Sequence, residues 1–205
     1  MSSVEQQEEP AVERRVGLGW PIWAALAVGL ALSVWVLMQA SVRPSEGGLT
    51  IYARGALSKL QVSAERPSAP TNPFQGPSGE PLRIADLPGQ VKVVNLWATN
   101  CAPCKIEMPT LAALAKAYPG RVSVTPISLD PVGRTDRARA FIAGHAPLPF
   151  HQDPSFAIAF ALKAQGMPTT VIYDAQGRER ARLSGAAEWD SPEARALFDA
   201  LLAGA

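Results

Sequence analysis

Val93-Val94-Asn95-Leu96-Trp97-Ala98-Thr99-Asn100-Cys101-Ala102-Pro103-Cys104-Lys105-Ile106-Glu107-Met108-Pro109 is the stretch on which the reading of this chain turns. The β-branched, apolar run from Val91 to Trp97 predicts a buried strand. A short polar turn follows it, and Cys101 opens a helix expected to reach about Tyr118. Cys101 and Cys104 are the only cysteines in the protein. Backbone N–H groups at a helix start are unpaired and carry positive partial charge, which favours a thiolate over a thiol. Cys104, one turn on, lies on the same side of the helix and can close a disulfide with Cys101. An accessible thiolate beside a resolving thiol is what thiol–disulfide exchange needs. The stretch therefore predicts a redox dithiol.

The totals exclude other chemistries. The chain has 205 residues and a net charge of +1, from 19 basic and 18 acidic side chains. That size fits one ordinary domain plus an appendage, and no Lys/Arg block points to nucleic acid. Two cysteines are too few for a disulfide scaffold, and no second Cys-x-x-Cys or Cys-x-x-His completes a four-ligand zinc site. The two histidines, His145 and His151, give metal chemistry little to work with, so no metal is expected.

Four segments follow along the chain. Residues 1–19 are polar and close on Arg14-Arg15, which predicts a cytoplasmic tail. From Trp20 to Met38 there is no charge; as a helix this run spans roughly 28 Å at ~1.5 Å per residue, close to the hydrocarbon core of a bilayer. Trp20, Trp23 and Trp35 lie toward its ends, as interfacial aromatics do. Residues 20–39 are read as a single transmembrane anchor. A cleaved signal peptide is the competing reading, but Met38 is a poor residue three before a cut. The domain is expected outside the cytoplasm, on the periplasmic face of a bacterial inner membrane. Residues 40–70, rich in Ser, Gly, Pro and charge, are read as a periplasmic linker. Within it, 49–62 carry a mild helical period and fit either a juxtamembrane helix or a half-ordered tether.

Residues 71–205 form the expected domain. Phe74 and Leu82-Arg83-Ile84 flank a turn at Gly76–Gly79 and predict a small hairpin. A second buried strand covers 121–129, with Pro126 at a bulge or an edge. Helices are expected from Arg134 to Gly144 and, opened by Asp153-Pro154, from Phe156 to Leu162. Gly166-Met167-Pro168-Thr169-Thr170 feeds a further strand, Asp174–Gly177 turns it, and Arg180–Leu183 returns. Ser191-Pro192-Glu193 caps a last helix ending near Leu202. A βαβ unit followed by a ββα unit gives an α/β fold with one mixed sheet and helices on both faces.

Taken together, Trp97-Ala98-Thr99-x-Cys101-x-x-Cys104-Lys105-x-Glu107-Met108-Pro109, then Gly166-Met167-Pro168-Thr169-Thr170 about 60 residues on, then an Asp-x-x-Gly hairpin, resemble the thioredoxin fold. More narrowly the chain resembles the TlpA type of membrane-anchored periplasmic thiol–disulfide oxidoreductase, over about residues 70–203 and including Gly185-Ala186-Ala187-Glu188-Trp189. The resemblance implies that Cys101 attacks a substrate disulfide and Cys104 resolves the mixed disulfide. It implies that Pro168 is a cis-proline facing the pair, with an ordinary trans turn as the alternative. It places Trp97, Asn100, Ala102, Pro103, Met167 and Thr169 around the substrate, with the Met167 backbone offering hydrogen bonds to an extended segment. No cofactor is implied beyond the redox-active Cys101–Cys104 disulfide.

Two positions depart from common relatives. Asn100 stands where many carry Trp, which removes an apolar docking surface. Asn95 stands where thioredoxin keeps a buried Asp for proton transfer, so another group must take the Cys104 proton. Glu107 is the candidate, its alternative role being an acid complementing the helix dipole. Ala102-Pro103 offers no cation to hold Cys101 as a thiolate, unlike a strong oxidant, and Lys105 reads as a solvated helix charge. A protein-disulfide reductase is therefore expected, re-reduced by a membrane donor of the CcdA or DsbD type. By the resemblance its clients are Sco-like proteins and the copper subunit of cytochrome oxidase, with apocytochrome c maturation the close second. Rivals are a peroxiredoxin-like peroxidase, a Sco-like copper chaperone recruiting His151, and a non-catalytic docking module.

Overall fold

The computed structural model describes residues 28–30, 32–33 and 48–204. The chain divides into two compact units, 1–43 and 44–205. In the first, the described residues are helical, and Ser33 Oγ donates to the Gly29 carbonyl at 2.8 Å. Most of the expected anchor over 20–39 lies outside the described residues, and among those described no helix is long and apolar enough to cross a membrane.

The second unit is built on an eight-stranded mixed sheet. Its strands are β1 (Leu60–Val62), β2 (Phe74–Gln75), β3 (Pro81–Leu82), β4 (Val91–Trp97), β5 (Val122–Ser128), β6 (His151–Gln152), β7 (Thr169–Tyr173) and β8 (Glu179–Ser184). The helices are α1 (Ala102–Ala117), α2 (Thr135–Ala143), α3 (Ala157–Ala161) and α4 (Pro192–Leu202). Across the sheet the order is β1-β8-β7-β4-β5-β6-β2-β3. Central β4 runs parallel to β5 and antiparallel to β7. All seven β4 residues are buried, as a run apolar on both faces requires. Val91, Val93 and Trp97 enter a core shared with α1, α2 and α4, while Val94 and Leu96 enter a second core with Phe74, Ile84 and α3. The expected α/β thioredoxin fold is present, hairpin included.

Local expectations hold where local chemistry suffices. The β2–β3 turn is closed by Gly76 N–H donating to the Glu80 carbonyl at 2.7 Å, with Gly79 at φ +87. Ser191 Oγ caps α4 by accepting from Ala194 N at 3.3 Å. Pro126 sits at a local edge, because β6 pairs the outer flank of β5 only at Ile127 and Ser128. The helix expected from Phe156 begins one residue later and Phe156 itself is left-handed, at φ 61. The Asp153 carboxylate still serves that helix, accepting from Ile158 N at 2.7 Å.

The segment read as linker is corrected over its second half. Short 3₁₀ turns at Thr50–Tyr52 and Gly55–Leu57 lead into β1, which pairs antiparallel with β8 from Leu60↔Leu183 to Val62↔Ala181. Leu49, Leu57 and Leu60 are buried in the core that holds α4. A mild helical period gave way because β8 would otherwise present an open edge, which an added strand covers. The Pro-rich stretch after it is also pinned: Glu179 N donates to the Pro67 carbonyl at 2.8 Å, and Ala69 N to that of Gly177 at 2.7 Å.

Candidate active site

Strand β4 ends at Trp97 and α1 starts at Ala102, so four residues carry the chain from sheet to helix. Cys101 is the N-cap of α1, and its sulfur accepts from the Cys104 backbone N–H at 3.3 Å. The same sulfur is bonded to Cys104, with the two Cα atoms 5.3 Å apart. Cys101 is half-buried and Cys104 is fully buried. Asn100, Ala102 and Pro103 around Cys101 are exposed. Pro103 costs the helix nothing here, since first-turn N–H groups have no partner within the helix. Cys101 is therefore the more accessible of the two cysteines.

The turn before Cys101 is held by a residue the sequence reading passed over. Asp130, buried just beyond β5, accepts from Thr99 N at 2.8 Å and from Thr99 Oγ1 at 2.7 Å. Ser128 Oγ donates to the same carboxylate at 2.9 Å. Because Trp97 and Ser128 are register partners on parallel strands, the residues just past both strand ends meet. An acid directly after the strand parallel to the motif strand was the available signal.

On the other flank, Leu96 pairs with Thr169, which sets the preceding Met167–Pro168 bond beside the end of β4. That bond is cis, as expected. Pro168 is buried and its carbonyl accepts from Gly185 N at 2.8 Å. Met167 is half-buried, and among the described residues its backbone is engaged by no other backbone group. Two positions expected to line the substrate do not reach the surface. Trp97 is 0% exposed and packs on Phe141 with ring centroids 5.2 Å apart. Thr169 is buried with Oγ1 donating to the Gly166 carbonyl at 2.7 Å. Both lie on strands covered on both faces, so they shape the site from beneath.

Glu107 is not an exposed acid at a helix start. It is 1% exposed, one turn after Cys104, and three donors converge on its carboxylate. Asn95 Nδ2 donates to Oε1 at 2.7 Å; Ala187 N and Trp189 Nε1 donate to Oε2 at 3.1 and 3.2 Å. Burial raises its pKa above the ordinary carboxylate value, outweighing these hydrogen bonds, which lower it. On one side the residue lines a cleft of about 470 Å³ with Ile106, Thr110 and Ala187. A buried acid with raised proton affinity, one turn from Cys104, keeps a proton to higher pH than an exposed carboxylate does. Glu107 thus lies past the first turn of α1 and inside the core, not at the exposed helix tip. His151 is on β6, across β5 from the motif strand, and burial lowers its pKa to about 4. Among the described residues no three His, Cys, Asp or Glu side chains gather to hold a metal.

Residues 67–181 match the model of the AhpC/TSA family. The chain belongs to the AhpC/TSA family. Its similarity to curated proteins runs to thiol–disulfide chemistry. It is 34% identical to the thiol:disulfide interchange protein DsbE homolog of Paracoccus denitrificans, over 63% of this chain and 70% of that protein. It is 31% identical to the thiol:disulfide interchange protein HelX of Rhodobacter capsulatus, over 51% of this chain and 58% of HelX. A crystal structure from Chlorobium tepidum, described as a thiol:disulfide interchange protein DsbE, superimposes with a TM-score of 0.58 at 25% identity, covering 66% of this chain and 95% of that one. With its dithiol at the helix start, this AhpC/TSA-family chain is a thiol–disulfide oxidoreductase of the DsbE-like kind.

Proposed function

We propose that the protein is a protein-disulfide reductase of the TlpA type, held at the outer face of the inner membrane by residues 20–39. The observation that carries the reading is the division of labour at the start of α1: a reachable Cys101, a sealed Cys104, and the buried Glu107 one turn beyond. In the reduced enzyme, Cys101 thiolate attacks one sulfur of a client cystine; a Cys101–client bond forms and a client thiolate leaves. Glu107 takes the Cys104 proton, and the new thiolate attacks Cys101 Sγ. The intramolecular disulfide closes, the second client thiolate leaves, and two electrons have passed to the client. Exposed Asn100, Ala102 and Pro103 and the half-buried Met167 form the surface the client segment lies against. Ala102 and Pro103 add no cation between the cysteines, which suits a reductant.

The clients proposed are Sco-like proteins and the copper subunit of cytochrome oxidase, whose cysteines must be reduced to hold copper. Apocytochrome c is the second client class. A CcdA- or DsbD-type membrane protein would return the electrons. The test is a Cys104→Ser variant expressed as the full chain in its native membrane. Mixed disulfides through Cys101 should accumulate, and mass spectrometry should find one client class enriched. A Cys101 that alkylates readily yet captures no partner would overturn the reading.

A further inference from the structure

Asn95 is buried on β4 with its register neighbours Thr170 on β7 and Pro126 on β5. Its Nδ2 donates twice, to Glu107 Oε1 at 2.7 Å and to Thr170 Oγ1 at 2.9 Å. Its Oδ1 is buried with no partner among the described residues, and its register neighbour on β5, Pro126, has no backbone donor to offer. An unfilled carbonyl at the centre of a packed sheet is costly. The arrangement suits only one charge state of Glu107. Oε2 already accepts from Ala187 N and Trp189 Nε1, so an arriving proton goes to Oε1, the oxygen facing Asn95. Once Oε1 carries hydrogen, the Asn95 N–H opposite it becomes a donor facing a donor.

We infer that Asn95 is a positioning residue whose side-chain amide turns over when Glu107 takes up the Cys104 proton. A half-turn about Cβ–Cγ brings Oδ1 to the place Nδ2 held. There it accepts from the Glu107 O–H and from the Thr170 hydroxyl, which can donate as well as accept. Asn95 makes two hydrogen bonds in both states, the unpartnered place passing from Oδ1 to Nδ2, so the acid can load and unload its proton without losing its bond to Asn95. An Asp at position 95 could not do this, because two carboxylates at this distance would share one proton. The inference rests on Glu107 being the proton acceptor. Glu107 is bonded by Asn95 from the sheet and by Ala187 and Trp189 from the segment before α4; Cys104 lies one turn earlier on its own helix, and Thr170 bonds the far side of the Asn95 amide. The exposed Glu188 lines the same cleft. No cation is among them.

The protein has three asparagines, Asn72, Asn95 and Asn100, so ¹⁵N-asparagine labelling of the full chain gives three side-chain amide pairs that single substitutions assign. The oxidised form is used, in which neither cysteine titrates, and ¹³C-labelled glutamate reports the Glu107 carboxyl. The Asn95 amide resonances should move with the same midpoint as the Glu107 carboxyl, and their NOEs to the Thr170 methyl should change between the limits. In Glu107→Gln they should stay at the acid-limit position at every pH, since the glutamine amide donates to Oδ1. Asn95→Asp should move the pH–rate profile of client reduction to higher pH. Asn95 resonances that stay still while Glu107 titrates would overturn the inference. A pH–rate profile unchanged in Glu107→Gln would instead overturn the proton-acceptor reading, and the two failures are separable.

Discussion

Replacing Asp130 by alanine tests how the turn before Cys101 is held. The substitution removes the acceptor of three buried hydrogen bonds, from Thr99 N, Thr99 Oγ1 and Ser128 Oγ, at 2.8, 2.7 and 2.9 Å. The two hydroxyls can rotate toward other acceptors, but the Thr99 N–H cannot, and a buried donor left unmatched costs about 1–3 kcal/mol. Summed over the three, the expected loss is about 3–5 kcal/mol, a large part of the roughly 5–15 kcal/mol available to a domain. With an m-value of about 2 kcal/mol per M, the urea midpoint should fall by about 2 M. Asp130→Asn keeps one oxygen for Thr99 N and should lose only about 1–2 kcal/mol. The loosened turn should also let the thiols separate more freely once reduced. A tenfold fall in their effective concentration makes the reduction potential less negative by about 30 mV. Urea unfolding of the oxidised proteins and a redox titration against glutathione measure both. If Asp130→Ala keeps the wild-type midpoint and potential, this carboxylate is not what positions the dithiol.

Leu57→Ala should cost about 2–5 kcal/mol, because Leu57 is fully buried although it precedes the expected domain; an unchanged melting temperature would restore the tether reading. His151 is neutral at pH 7, with its pKa lowered to about 4 by burial. The unfolded chain therefore binds a proton near pH 6.5 that the folded chain refuses, and stability falls as pH drops from 6.5 toward 4. The loss approaches about 3 kcal/mol, and it should vanish from the pH dependence of thermal unfolding in His151→Gln. Glu107 has the opposite sign. Its folded pKa is raised above the ordinary 4.5, so the folded state holds the proton longer and stability declines as pH rises through that raised value. Glu107→Gln should flatten this decline in urea titrations and slow the resolving step of client reduction.

The sequence by itself determined what depends on local pattern. A seven-residue run apolar on both faces can only be an interior strand, and β4 is that strand, with the same limits. A cysteine pair three apart at a helix start can only face itself, and the disulfide follows. The Ser191 cap was legible for the same reason, being set by a few neighbouring residues, whereas the cis Met167–Pro168 bond was expected only from the family resemblance. Tertiary structure decided what depends on partners distant in the chain. Trp97 and Thr169 were expected at the substrate, but α1, α2 and α4 on one face and the hairpin with α3 on the other seal the strands that carry them. Leu49, Leu57 and Leu60 looked like sparse apolar residues in a linker until the open edge of β8 recruited them. Asp130 reads as an ordinary acid after a strand, and only the parallel pairing of β4 with β5 brings it to Thr99. The character of Glu107 was also outside local reach. Its donors come from residues 95, 187 and 189, and a buried carboxylate takes its proton affinity from whatever the fold packs around it.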